Sequence, residues 1–174
     1  MPNSQDLFNA TIRENGQVKS KSRLILSFQF LLLFAYSVVL WATEPLAIFR
    51  GERGVGIVLL MLGVVILAAA VMAYRNAVGT FMVKPSPEPA ERGGLITKGV
   101  YSIIRHPFYT ATPIILTGTA LGIRKPWGLA VIPVVIGLLY WKSSHEEKLL
   151  EERFPEYGEY RTKTGRFVPR LRKK

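Results

Sequence analysis

Two short polar clusters flank apolar stretches of the chain and could do chemistry together. The first is Arg105-His106-Pro107, which stands directly before an uncharged stretch. Proline is favoured in the first turn of a helix, because the N–H that it lacks would have no partner there. The motif therefore predicts a helix that begins at Pro107, with Arg105 and His106 at its entrance. Free backbone N–H groups are expected at that end, where they would attract an anion such as a carboxylate.

The second cluster is the acidic pair Glu146-Glu147, which follows the next apolar stretch. Adjacent carboxylates can hold a cationic or a polyhydroxyl ligand. Ser144 stands three residues before Glu147, which is the spacing of a capping box, and the apolar residues that follow fall on one side of a helix. The pattern predicts a separate surface helix that starts close to Ser144.

Each cluster also has a purely structural interpretation. Arg105 can reach towards lipid headgroups while His106 caps the helix, and a run of glutamates on a helix is most often a solvated face. From the residues alone, the structural and the functional interpretations both stay open.

Four uncharged stretches must position these clusters. They hold 74 of the 174 residues, so the remaining 100 residues carry all 35 charges, and the chain has no Cys. A bilayer core of about 30 Å needs about 20 helical residues, so the last two, shorter stretches need flanking Lys and Arg side chains that reach the interface. We expect an all-α polytopic membrane protein with four transmembrane helices and a C-terminal cytoplasmic helix. The predicted spans are residues 24–43, 54–74, 107–123 and 126–142.

Lys and Arg are distributed unevenly over the loops between these stretches. Nineteen lie on one side of the expected membrane and four on the other. This pattern predicts that both termini and the loop at residues 75–106 are cytoplasmic. A nucleic-acid partner is not expected despite the net charge of +11, because such a domain lines its basic residues along one face and has no long apolar runs.

One domain is expected for the whole chain. Its parts are an N-terminal arm at residues 1–23, a helical pair at 24–74, the cytoplasmic loop at 75–106, a helical hairpin at 107–142 and a tail at 143–174.

Taken together, the clusters and the tail resemble the integral-membrane methyltransferases that include isoprenylcysteine carboxyl methyltransferases and phospholipid N-methyltransferases. The resemblance rests on the order of the motifs, with one hydrophobic hairpin between the Arg-His-Pro motif and the acidic pair. Val100 departs from the family pattern, which usually has Pro there, and Ala111 stands where the family often has Gly. The matching residues are Gly99, Tyr101, Arg105, His106, Pro107, Tyr109, Glu146, Glu147, Phe154, Tyr157, Tyr160, Arg166 and Pro169.

The resemblance implies S-adenosylmethionine as the cofactor, bound near the cytoplasmic face, and it implies no metal. It implies that Arg105, Arg153 or Arg166 acts in catalysis by holding an anionic group of the acceptor. Because a sulfonium is an excellent leaving group, alignment and the exclusion of water can supply most of the acceleration. The implied cofactor-binding residues are Tyr101, His106, Pro107, Tyr109, Glu146 and Glu147.

A lipophilic acceptor that arrives from the lipid bilayer is expected, since a soluble acceptor would not require so many apolar residues. The proline-rich loop at residues 84–94 is expected to cover the cofactor. An isoprenylcysteine carboxylate, a lipid amine and a small thiol all stay open as acceptors, and a non-catalytic four-span scaffold subunit stays open as the alternative. Small residues could leave a lateral path or could pack helices closely. They are Gly118, Ala120, Gly122, Gly128 and Gly137.

Overall fold

The computed structural model describes residues 24–25, 27–45, 52–78 and 94–170 of the chain. The predicted arm at residues 1–23 and nearly all of the proline-rich loop lie outside these ranges. Within them every regular element is helical, so the predicted all-α class is confirmed.

Five α-helices and two short 3₁₀ turns make up the described structure. The turns precede the third and the fourth α-helix, and the third begins at its predicted residue. The α-helices are α1 (Ser27–Ala42), α2 (Glu52–Val78), α3 (Pro107–Gly122), α4 (Ile132–Arg153) and α5 (Tyr157–Lys163), and the turns are Gly99–Ser102 and Pro126–Val131.

Among the described residues, two segments are long and apolar enough to cross a membrane, Glu52–Asn76 and Pro126–Arg153. The described part of α1 is apolar but shorter, and α3 has 16 residues, so the structure gives two candidate spans where the sequence predicts four. Large apolar side chains point outward, as with Phe34 and Val58, which are 67% and 65% exposed. Contiguous apolar surface of this kind marks contact with lipid or another apolar partner.

The prediction of a separate helix that starts near Ser144 is wrong. Helix α4 continues from Ile132 to Arg153 without a break. The Ser144 hydroxyl donates to the carbonyl of Tyr140 at 2.9 Å, one turn earlier in the same helix. A change from apolar to polar side chains resembles a boundary in sequence, but the backbone hydrogen bonds of a helix continue through such a change.

Glycines bring α2 and α3 into backbone contact. A Cβ atom at Gly56 would lie 2.3 Å from the backbone nitrogen of Gly122, and one at Gly118 would lie 2.4 Å from that of Leu60. Only a hydrogen atom fits at either position, and small residues are what allow helices to approach this closely.

The contacts of the small residues in the hairpin show whether these residues pack helices closely or leave a lateral path. Gly118 and Gly122 face α2, Gly128 packs against α1, and Ala120 is fully buried. These four residues serve helix packing, which is the second of the two uses that the sequence left open. Gly137 has open space beside it within the described structure.

Helix α1 packs against α3 and α4 through a small core. The hydroxyl of Tyr36 donates to the main-chain carbonyl of Leu116, which links α1 to the middle of α3. The buried residues of this core are Tyr36, Leu116, Val135 and Leu139. The core holds three helices together below the polar clusters.

Replacing Gly56 or Gly118 by Ala should destabilise the protein by about 1–3 kcal/mol, the usual cost of overpacking. The added methyl group would meet backbone atoms, which cannot move aside as a side chain can. Thermal unfolding in detergent measures the effect. Gly54→Ala is the matched control, because Gly54 lies on the same helix and a Cβ atom there meets nothing within 4 Å. Equal unfolding midpoints for Gly54→Ala and Gly56→Ala would contradict the prediction.

Candidate active site

The chain before α3 is held by the C-terminal tail. An isolated parallel bridge joins Ile104 to Gly165. The N–H of Arg105 donates to the Gly165 carbonyl at 2.8 Å, and the N–H of His106 donates to the Arg166 carbonyl at 3.1 Å. The prediction of outward-pointing free N–H groups is therefore wrong for Arg105 and His106, because the tail occupies both.

Glu147 lies at the centre of the polar cluster, and its side chain is 4% exposed. Its Oε1 atom lies 2.9 Å from Nε of Arg105 and 3.1 Å from Nε2 of His106. Its Oε2 atom accepts from Nη2 of Arg166 at 2.6 Å. Two guanidinium groups favour the ionised carboxylate, and the hydrogen bonds are of the strong, charge-assisted kind. Both oxygens are engaged within the protein.

The remaining donors of Arg105 hold the tail. Its Nη1 atom donates to the carbonyls of Thr164 and Arg161, at 2.5 and 3.1 Å. The Arg105 side chain is only 8% exposed. This geometry favours a positioning role for Arg105, and its contact with an acceptor stays a prediction.

Glu146 is the more accessible carboxylate of the pair. Adjacent helical residues point about 100° apart, so Glu146 faces α3 instead of the centre of the cluster. It accepts a hydrogen bond from the hydroxyl of Tyr109, and its Oε2 atom lies 3.4 Å from Nδ1 of His106. The Glu146 side chain is 16% exposed, against 4% for Glu147.

His106 lies between the two carboxylates and stacks on Tyr109, with ring centroids 5.3 Å apart. Burial alone would lower the pKa of His106, but hydrogen bonds and charge attraction from Glu146 and Glu147 outweigh it and raise the pKa above 6.5. In the protonated form each ring nitrogen carries a hydrogen for one carboxylate. His106 thus links the two acids.

Three further predicted residues lie around this cluster. Pro107 is fully buried in the first turn of α3. Tyr101 accepts a hydrogen bond at its main-chain carbonyl from the hydroxyl of Tyr160, at 2.7 Å. The guanidinium of Arg166 lies 4.8 Å from the centroid of the Tyr140 ring. The Arg166 side chain is 21% exposed, more than those of Arg105 and Glu147.

Arg153 lies apart from the buried part of the cluster. It is exposed at the end of α4, and its guanidinium lies 5.6 Å from the centroid of the Phe154 ring. A rise of 1.5 Å per residue places it about 9 Å along the helix axis from Glu147.

Lys142 is a candidate that the sequence analysis missed. Its ammonium donates to Oε1 of Gln29 at 2.9 Å and lies 5.0 Å from the centroid of the Tyr109 ring. At the end of an apolar stretch, a lone lysine is typical of an interfacial anchor. The available signal was the four-residue spacing to Glu146, which places both residues on one helix face.

The outward apolar surface and the buried cluster of acids and bases together define a membrane protein with an enzyme-like site. Residues 52–157 match the phospholipid methyltransferase family, and the chain belongs to that family. The resemblance stated from the motifs is therefore confirmed. No solved structure matches the chain at a significant level.

Several curated proteins are similar to the chain. Protein-S-isoprenylcysteine O-methyltransferase A of Arabidopsis thaliana is 27% identical over 156 residues, which are 85% of this chain and 77% of that protein. A probable protein-S-isoprenylcysteine O-methyltransferase of Oryza sativa subsp. indica is 28% identical over 153 residues, 84% of this chain and 78% of that protein. The cobalt-zinc-cadmium resistance protein CzcN of Cupriavidus metallidurans is 33% identical over 78 residues, 44% of this chain. That match spans 36% of the resistance protein, about a third of its length.

Replacing Glu147 by Gln should destabilise the protein by about 3–5 kcal/mol, because it leaves the nearly buried guanidinium of Arg105 and the partly buried one of Arg166 without their counter-ion. Unfolding in detergent, followed by temperature or denaturant, measures this. Glu151→Gln is the matched control on the same helix, since Glu151 pairs with Arg161 where both side chains are more than 40% exposed. Such a surface pair contributes under about 1 kcal/mol. Similar losses in the two variants would show that Glu147 does not have the central role assigned to it.

Proposed function

We propose that this chain transfers a methyl group from S-adenosylmethionine to a lipophilic acceptor at the cytoplasmic face of a membrane, in the manner of an isoprenylcysteine carboxyl methyltransferase. The observation that carries the proposal is the partly exposed Glu146 beside Tyr109 and His106, in a chain of the phospholipid methyltransferase family. Relatives named as isoprenylcysteine O-methyltransferases match most of the chain, which supports a lipophilic acceptor.

The side chains around Glu146 fit the chemical groups of S-adenosylmethionine. The Glu146 carboxylate can accept hydrogen bonds from ribose hydroxyls or from the ammonium group. The ring of Tyr101 offers an aromatic face to a sulfonium or to adenine, whereas the Tyr109 ring already stacks on His106 and lies 5.0 Å from the ammonium of Lys142. The side chain of Arg166 is partly exposed, and its guanidinium can hold an anionic group. When bound, the cofactor supplies a methyl group on a sulfonium that leaves readily.

The buried residues have supporting roles in this proposal. Glu147 positions Arg105, His106 and Arg166, and so keeps the tail against the start of α3. Pro107 begins the helix in such a way that Tyr109 reaches Glu146. Fixed geometry of this kind lowers the entropic cost of alignment, and buried walls keep water from the reacting groups.

We also propose that all four apolar helices cross the membrane as one domain, with both termini and the loop at residues 75–106 in the cytoplasm. The uneven distribution of Lys and Arg supports this orientation. The glycine contact between α2 and α3 supports a place for the short α3 within the bundle. Pro107 and Glu146 then lie at the same membrane face.

Glu146→Gln should weaken the binding of S-adenosylmethionine by about 1–3 kcal/mol, the range for losing a hydrogen bond to a charged group. Isothermal titration of the detergent-purified protein measures the affinity. Glu151→Gln should bind the cofactor as the unchanged protein does, because Glu151 lies on the exposed surface of α4. Absence of binding to the unchanged protein would refute the proposed function. Unchanged affinity in a folded Glu146→Gln variant would remove only Glu146 from the site.

The proposed orientation predicts that cysteines introduced at Glu52 and at Lys98 react with a membrane-impermeant maleimide from opposite sides. The chain has no cysteine of its own, so each introduced thiol is the sole target. Labelling in sealed vesicles of known orientation gives the result, and labelling after solubilisation in detergent is the control for reactivity. Reaction of both positions from one side would show that the topology is wrong.

A further inference from the structure

Lys142 is a buried cation where three helices meet. It belongs to α4 and is 3% exposed. Its Nζ atom donates to Oε1 of Gln29 on α1 at 2.9 Å and lies 5.0 Å from the ring centroid of Tyr109 on α3. The ammonium therefore lies between the polar cluster and the apolar part of the helices.

Both contacts of this ammonium are with neutral groups. The Gln29 amide and the Tyr109 ring attract a cation, but neither carries a negative charge. Burying a charge without a counter-ion is costly. A lysine in this environment is stabilised when an anion joins it.

The carboxylates of the cluster are engaged elsewhere. Glu147 forms its ion pairs with Arg105 and Arg166, and no carboxylate in the described part of the chain forms one with Lys142. Glu146 lies one turn further along α4, but it accepts from Tyr109 and lies beside His106. Among the described residues, Lys142 is thus a buried cation that forms no ion pair, although the charge of Glu146 attracts it from one turn away.

Gln29 also faces a narrow cavity between α1, α3 and α4. Apart from Gln29 and Thr112, the lining is apolar and consists of Leu32, Leu33, Val135, Leu138 and Leu139. The cavity is about large enough for one water molecule, so the chain of an amphiphile enters only where these apolar side chains move apart. Its head group would then meet Gln29 and the neighbouring Lys142.

We propose that Lys142, positioned by Gln29, binds the carboxylate head group of the methyl acceptor and selects a lipophilic carboxylate over a lipophilic amine. This rests on the proposed methyl transfer. A carboxylate supplies a direct ion pair for Lys142, whereas a protonated amine is repelled. In the transfer, a carboxylate oxygen uses its own electron pair to form the bond to the methyl carbon. The sulfur–methyl bond breaks with its pair going to sulfur, which becomes a neutral thioether, and no proton moves.

Lipid binding without a methyl donor tests this inference. The protein in nanodiscs is titrated with palmitate, hexadecylamine and hexadecanol, which share a chain length and differ in head-group charge, and empty nanodiscs give the background. We expect palmitate to bind at least about tenfold more tightly than the other two, as a charge-assisted contact implies. Lys142→Met should remove this preference and Lys142→Arg should keep most of it. Lys148→Met, at an exposed position of the same helix, should bind like the unchanged protein.

Two results would overturn the inference. One is equal affinity of the unchanged protein for palmitate and hexadecanol, which needs no variant and so does not depend on Lys142→Met being folded. The other is an undiminished palmitate preference in folded Lys142→Met. Titration of the same samples with S-adenosylmethionine tests the proposed methyl transfer separately from the role of Lys142. Normal cofactor binding without a palmitate preference overturns the role of Lys142 alone, whereas absent cofactor binding refutes the methyl transfer itself.

Discussion

The carboxylate of Glu147 holds together three segments that are far apart in the sequence. Its partners come from the residues just before α3, Arg105 and His106, and from the tail, Arg166. A buried ion that loses its partners costs several kcal/mol, so a stable fold must keep these segments in contact. The backbone bridge between Ile104 and Gly165 then places the tail beside α3. In this arrangement the side chains of Glu146 and Arg166 stay partly exposed.

A second constraint acts on the backbone alone. The glycines between α2 and α3 fix how closely and at what height these helices meet. Gly99 extends the contact towards the cluster, since it has φ of 63° and a Cβ atom there would lie 3.3 Å from that of Ala73. That φ value favours glycine. The glycine contact between α2 and α3 therefore fixes the position at which α3 starts. The ion pairs of Glu147 fix which residues surround that start.

Local rules predicted the parts of this site that depend on one element at a time. Pro107 marked the start of α3 because proline suits a first helical turn, whereas a common site for the Arg-His-Pro motif and the acidic pair was implied only by the family resemblance. The different burial of Glu146 and Glu147 could not be predicted, because it depends on the rotation of α4 against its neighbours. One residue changes that direction by about 100°. Ser144 was misjudged for a related reason: its hydroxyl bonds within a continuous helix, which no local pattern reveals.

The charges of the cluster also bear on which acceptor the site can hold. Arg105, Arg166 and Lys142 are three cations against the two carboxylates, and protonation of His106 adds a fourth. S-adenosylmethionine carries a sulfonium and an ammonium against one carboxylate, so its binding makes the site more positive. An amine acceptor would have to enter this field after losing its proton, whereas a carboxylate enters with the charge that the field favours. The excess of positive charge, which includes the buried Lys142 with no ion pair among the described residues, therefore favours an anionic acceptor on electrostatic grounds that are independent of the shape of the apolar cavity.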